Sequence, residues 1–208
     1  MSNENKTGYN FFETCKNCKM DCCHSVKPPI TSERRKIIEG YLKSQPFSIE
    51  NLFVQKVYTF PREDAEGYCV FYDKQTKQCV VHSVKPETCM AGPITFDLDM
   101  KGRKIEWYLK MGRICQLAGK LWEDERTLKE HLKLAKREIL RLVRELDPEA
   151  LKAILKIEEP ETFEIDEDEL EEEVLEKLGY LQRSVTESAV AVLPYETKLE
   201  RRLLVYQL

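Results

Sequence analysis

Eight cysteines in 208 residues, seven of them before residue 90, constrain this chain more than any other feature. Four fall within nine positions, Cys15-x2-Cys18-x3-Cys22-Cys23. A second group follows as Cys69-x9-Cys79-x2-His82-x6-Cys89, and Cys115 stands alone. A Cys-x2-Cys pair is a chelate, because the turn between the two residues aims both sulfurs at one point. Thiolates are soft ligands that suit zinc, iron–sulfur clusters or Cu(I). Cys22 can close a third position. Cys23, its neighbour, is expected to point elsewhere and to serve a second centre or an inner wall. Cys79 and His82 repeat the chelate spacing, and Cys69 is expected across a hairpin from Cys79.

Each of these residues also has a plainer use. A free cysteine is often a small core residue, and for Cys115 core and ligand are equally open. For His82, ligand and structural histidine are equally open. His24 reads as a surface residue. Cys15, Cys18, Cys22 and Cys23 sit beside Lys, Asn and Asp on no periodic apolar face, so a core role does not account for them.

The start, MSNENKTGYN, shows no basic region followed by an apolar one, so a secretory leader is not expected. Without an oxidising compartment, clustered cysteines point to metal or redox chemistry rather than to disulfides. A mean hydropathy of -0.50 and the lack of a long apolar run speak against a membrane span. A cytoplasmic protein is therefore expected.

The elements are short in the first half. Thr31 or Ser32 caps a helix to about Leu42, with Ile37, Ile38, Tyr41 and Leu42 on its buried face. Val54–Phe60 reads as one strand. Tyr68–Tyr72 and Gln78–His82 read as a hairpin, as do Pro93–Leu98 and Lys104–Leu109 around Gly102. After Gln116 the period becomes helical: Leu128, Leu132, Ala135, Ile139, Leu142 and Leu146 predict one amphipathic helix over 116–146, ~45 Å long. Asp147-Pro148 restarts a shorter helix. A third helix is expected over Asp166–Leu178, with Gly179 as its stop. Val185–Leu193 reads as a strand, and Leu199–Leu208 is amphipathic.

Residues 158–178 carry twelve acids and one lysine, a net of -11, while the rest of the chain nets +7. The long helix mixes Lys and Arg with Glu and Asp, which reads as a solvated face rather than a nucleic-acid surface. The acidic segment is expected to dock on it. Trp107, Tyr108 and Trp122 are expected as core around Cys115.

The stretches CKNCKMDCC, YCVFY and CVVHSVKPETC followed by a proline resemble the CxxCxxCC family of zinc- or iron-chelating proteins, the YkgJ-like cysteine cluster proteins. The resemblance covers about residues 15–115. It implies that Cys15, Cys18, Cys22, Cys23, Cys69, Cys79 and Cys89 are cluster cysteines. Two departures stand out. Three residues separate Cys18 from Cys22, and Met90 replaces the arginine that usually follows the last cysteine, with Pro93 one step late. Flagellin lysine methylases resemble the same cysteine pattern.

Other signatures are absent. The gaps of the first block run opposite to the Cys-x3-Cys-x2-Cys of radical-SAM centres. There is no ferredoxin run, no Gly-x-Gly-x-x-Gly and no Walker A motif.

The expected fold is α+β: a cysteine-rich metal-bound subdomain with short hairpins (1–115) packed on long amphipathic helices (116–208). The expected cofactor is an Fe–S cluster or zinc, held by Cys15, Cys18, Cys22, Cys23, Cys69, Cys79, His82, Cys89 and Cys115. The function classes in play are a metal-cluster protein with a redox role, a non-enzymatic zinc-stabilised interaction module, and a lysine-methylase-like enzyme. A protein partner stays open; membrane and nucleic-acid partners are not expected.

Overall fold

Thr31 starts the first long helix. Its hydroxyl accepts the Arg34 N–H at 3.0 Å, the N-cap bond that satisfies one of the helix's unpaired donors. The structure is a computed structural model and describes residues 11–18, 22–45, 48, 50–159 and 161–179. The expected elements at 185–193 and 199–208 lie outside the described residues. The fold is α+β, with helices around small antiparallel sheets.

A short helix α1 (Phe11–Lys16) carries Cys15. Helix α2 (Ser32–Lys43) buries Arg34, Ile38 and Leu42, which one-turn spacing puts on one face. Ile37, expected on that face, lies at its exposed margin. The single strand expected over Val54–Phe60 is a hairpin instead: β1 (Phe53–Gln55) pairs with β2 (Thr59–Pro61). The Lys56 N–H bonds the Tyr58 carbonyl at 3.1 Å and reverses the chain, so the two halves satisfy each other's backbone. A minimal ribbon of β3 (Tyr72–Asp73) and β4 (Gln78–Cys79) follows, then a 3₁₀ turn (His82–Val84) and helix α3 (Glu87–Ala91). Ile30, Ile38, Leu42, Leu52, Phe71 and Val81 form a small apolar core here.

The second hairpin forms as its turn chemistry predicts. Strand β5 (Ile94–Asp99) pairs with β6 (Lys104–Lys110), from Ile94↔Leu109 to Asp99↔Lys104. Asp99 Oδ1 accepts the Lys101 N–H at 3.0 Å inside the turn. Gly102 leaves room for the Asp99 carboxylate, since a Cβ would lie 2.2 Å from Asp99 Oδ2 and that side chain would have to move.

The expected helix over 116–146 is two helices, α4 (Gln116–Glu123) and α5 (Glu125–Glu145). Asp124 separates them in an extended conformation (φ -128°, ψ 97°), accepting from the Arg126 and Thr127 N–H groups. The N-cap bond interrupts the helix even though the apolar spacing runs on. Asp147 caps α6 (Pro148–Leu155) as expected.

The acidic segment differs most from expectation. Thr162–Glu169 is a strand, β7, and only Glu172–Lys177 is helical, as α7. Strand β7 pairs antiparallel with β6, from Lys110↔Thr162 to Lys104↔Glu169, with Ile165 as the extra residue of a bulge. Closely spaced carboxylates repel on a helix face. On the strand they meet cations: Lys104 bonds Glu167 at 2.5 Å, and Lys136 of α5 reaches Asp166 and Asp168, each at 2.7 Å.

The three-stranded sheet β5-β6-β7 packs on α4, α5 and α7. Ile94, Ile105, Trp107 and Leu109 from the sheet meet Leu117, Leu121, Ile139, Val143, Val174 and Leu175 from the helices. This core draws residues from both sides of residue 115. Trp107 is fully buried, with its indole N–H donating to Asp168 at 2.7 Å, whereas Trp122, expected in the core, is 59% exposed and stands edge-on to Phe163.

Candidate metal centre

Four structural pieces bring the cysteines together. The first is the pair α1 and α4. Lys120 of α4 donates to the Thr14 hydroxyl at 3.0 Å, and this docks the turn that carries Cys15 and Cys18. Cys115 is the residue before α4, in an extended conformation. Its loop folds back on the helix so closely that a Cβ on Gly112 would lie 3.1 Å from the Gly119 Cα.

The second piece is the Cys22-Cys23 step. The Cys23 carbonyl accepts the Cys69 N–H at 2.8 Å, and the Ser25 N–H bonds the Gly67 carbonyl at 2.8 Å. The first cysteine block is thereby laid against the chain that leads into the β3–β4 ribbon. The third piece is that ribbon. Cys79 pairs with Tyr72, not with Cys69 as expected, but the Tyr72 N–H bonds the Cys69 carbonyl at 2.8 Å and keeps Cys69 one turn away.

The fourth is α3, which carries Cys89 and is held at both ends. At its start, the fully buried Glu87 accepts from the Thr31 hydroxyl at 2.5 Å and stands 3.7 Å from Arg34 Nε. Arg34 in turn bonds Glu138 of α5. At its end, Nε2 of the buried His131 lies 3.1 Å from the Ala91 carbonyl and 3.0 Å from the Gly92 carbonyl. The sequence reading missed Arg34, Glu87, Glu138 and His131. A signal existed in Arg34, a charge placed in line with Ile38 and Leu42.

The outcome is a broad, partly open cleft whose long wall includes all eight cysteines, His82 and Lys85 among many other residues. All eight thiols are free. Cys15 and Cys22 are exposed and the other six are half-buried; burial raises the pKa of Cys79, Cys89 and Cys115, and pushes Cys69 up to about 12. Cys22 is the exception. The Cys23 thiol donates to it, and with help from Lys85 and Lys110 this brings Cys22 down to about 6 while Cys23 rises. Lys85 also lowers the thiols of Cys15, Cys79 and Cys89. Burial, then Lys85, lowers His82 to about 4, leaving a neutral imidazole at neutral pH. His24 is not in the cavity wall; its ring lies 3.0 Å from both the Glu66 carbonyl and Ser25 Oγ, and edge-on to Tyr68.

In donor chemistry the cleft fits a thiophilic ion, for many thiols and the imidazoles of His82 and His131 line it together with cations that favour thiolates. In distance the donors stand apart: among the described residues, no three Cys, His, Asp or Glu side chains surround one point. Metal binding therefore requires the thiols to close in.

The class this defines is a thiol-rich chelating region on an α+β scaffold. Residues 14–116, just under half of the chain, match the model of the CxxCxxCC family, described as a "Putative zinc- or iron-chelating domain". The chain is also 28% identical over 111 residues to an uncharacterized protein of Methanocaldococcus jannaschii. That alignment covers 50% of this chain and 59% of the relative. No solved structure matches.

Proposed function

We propose that this chain is a metal-cluster protein in which the thiols of the shared cavity hold iron or zinc. The observation that carries the reading is that segments up to a hundred residues apart place all eight free cysteines along the wall of one broad cleft. An iron–sulfur cluster bound there would supply electron transfer; zinc would supply a redox-silent cross-link. Cys15, Cys18, Cys22, Cys23, Cys69, Cys79, Cys89 and Cys115 are the proposed ligands, with His82 as a nitrogen donor on the same wall. Free thiols in this number suit a reducing compartment, so the proposed location is the cytoplasm. No helix among the described residues is long and apolar enough to cross a membrane.

The zinc-stabilised interaction module is the second reading. Its support is the modest apolar core of the cysteine-rich part, where six buried residues hold strands of two or three residues. Metal cross-links commonly stabilise regions with so little core. A methylase-like activity rests on the shared cysteine order alone.

Metal analysis of protein purified without oxygen tests the proposal. Bound iron with visible thiolate-to-iron absorption supports the redox reading, and colourless protein with zinc supports the module. Protein that carries neither metal and takes up neither on addition overturns both.

A further inference from the structure

We infer that residues 198–205 of this chain, which lie outside the described residues, bind as an added strand along the free edge of β7. The inference is independent of the metal-cluster reading.

The edge comes first. Among the described residues β7 pairs on one side only, with β6. The Leu170 N–H donates to the Arg103 carbonyl at 2.8 Å, and the Met111 N–H donates to the Glu161 carbonyl at 2.9 Å. Hydrogen-bonded and non-bonded pairs alternate along an antiparallel ladder. Counting inward from these two bonds, Phe163, Asp166 and Asp168 turn their backbone groups to β6, and Glu164, Glu167 and Glu169 turn theirs outward. A row of outward peptide groups on an eight-residue strand is a template for one more strand.

The side chains along this edge select the occupant. Residues directly opposite each other share a face, so Glu164, Glu167 and Glu169 lie on the side of Lys104, Glu106 and Tyr108. That side faces away from the core in which Ile105, Trp107 and Leu109 are buried. All three glutamates are exposed. Glu167 bonds Lys104 at 2.5 Å, while Glu164 and Glu169 form no ion pair among the described residues. On the core side Phe163 stands edge-on to Trp122, which is 59% exposed. The strand that fits has cations on one face and apolar side chains on the other.

Residues 198–205, KLERRLLV, approach this pattern, with three cations against one acid. In an extended chain Lys198 and Arg202 fall on one face, and Leu199, Leu203 and Val205 on the other. Lys198 is 19 residues beyond Gly179, a reach of up to ~60 Å against a strand of about 27 Å. The main-chain bonds supply the attachment, and charge selects the segment. A second copy of β7 would set glutamate against glutamate, and like charges directly opposite destabilise a sheet. Residues 185–193, also expected as a strand, contain Glu187 and no cation.

The test is hydrogen exchange on the full-length chain, read amide by amide. The Glu164, Glu167 and Glu169 amides should exchange slowly, like those of Phe163, Asp166 and Asp168. Lys198→Glu with Arg202→Glu should speed the outward three about tenfold or more and leave the inward three unchanged. Adding Glu164→Lys and Glu169→Lys should restore the protection. Fast outward amides in the wild-type chain overturn the proposal. Slow ones that do not respond to the charge reversal give the edge to another segment, and slow ones that depend on protein concentration give it to a second copy; either overturns it. Carbodiimide coupling of the wild-type chain needs no variant. Lys198 should link to Glu164, Glu167 or Glu169, beside a Lys104–Glu167 link that serves as the control. The control link without any from Lys198 overturns the docking.

Discussion

Arg34 is the residue on which the cysteine-rich part and the helices jointly depend. It is 5% exposed, lies between Glu87 and Glu138, and links α2 to α3 and α5. The arrangement is incompletely satisfied, because Arg34 Nε and Glu87 Oε2 lack hydrogen-bond partners. Such an arrangement adds little net stability compared with an apolar one, yet removing a single member strands a buried charge. Arg34→Met should therefore cost about 3–5 kcal/mol. Replacing Arg34, Glu87 and Glu138 together by apolar residues should cost less. Urea unfolding of both variants decides, and an Arg34→Met chain as stable as the parent would sink the argument.

A second residue-scale prediction concerns acid. Asp64 is held at about 2, below its ordinary 3.8, by Lys74 first and by the Tyr68 N–H next. A lowered carboxyl pKa means that the charged form is the one the fold favours. The stabilisation is present above the unfolded value and is lost as pH falls through the folded one. The loop before Cys69 should keep its order down to about pH 4 and lose this contribution between about 4 and 2. An NMR titration of the Asp64 carboxyl with a midpoint at the ordinary value would contradict this.

At the scale of elements, apolar contact and not charge holds the acidic segment to the helices. Lys136 bonds two aspartates of β7, and Arg144 bonds Glu171 at 2.8 Å, but these groups are partly exposed. Pairs of this kind contribute only ~0–1 kcal/mol each. Ile139, Val174 and Leu175 are buried in one core. Ile139→Ala should cost about 2–5 kcal/mol and Lys136→Met no more than about 1 kcal/mol. Thermal unfolding of the two variants compares them directly, and the reverse ranking would make the attachment electrostatic.

The same pairing bears on nucleic acid. Lys129 bonds Glu125 at 2.6 Å and Arg126 bonds Glu130 at 3.3 Å on α5, besides the contacts of Lys136 and Arg144. A basic face neutralised in this way should bind DNA and RNA weakly even at low salt, as fluorescence anisotropy can measure. Tight binding with a steep salt dependence would mean that these cations are free to meet phosphates. Deleting residues 158–208 is a poor test of this, since it also removes β7 from the sheet that covers Trp107.

At the scale of the whole molecule, stability is unevenly distributed. The large core lies between the sheet and α4, α5 and α7, while the cysteine-rich part has a small core of its own. Metal that binds the closed thiol cavity and not the unfolded chain must add to stability. Chelation of the purified protein should lower its melting temperature, with the loss concentrated in residues 11–91. Calorimetry with and without chelator measures the shift, and hydrogen exchange locates it. An unchanged melt with metal demonstrably removed would show that the thiols do not hold the fold.

The amino-acid order alone determined what is written in local chemistry: the chelate spacing of Cys15 and Cys18, the Thr31 and Asp147 caps, the turn at Gly102 and the α+β class. Each depends on residues a few positions apart, so each is legible without the fold. The acidic segment was not legible. Its leucine spacing fits a helix, and only the free edge of β6 and the cations of Lys104 and Lys136 made a strand the better state for Thr162–Glu169. The break at Asp124 lay within reach of sequence reasoning, but a continuous apolar stripe concealed it. The convergence of Cys115 with Cys15, and of Cys69 with Cys23, belongs to the tertiary structure. It arises from docking between segments 46 to 100 residues apart, and no local spacing records it.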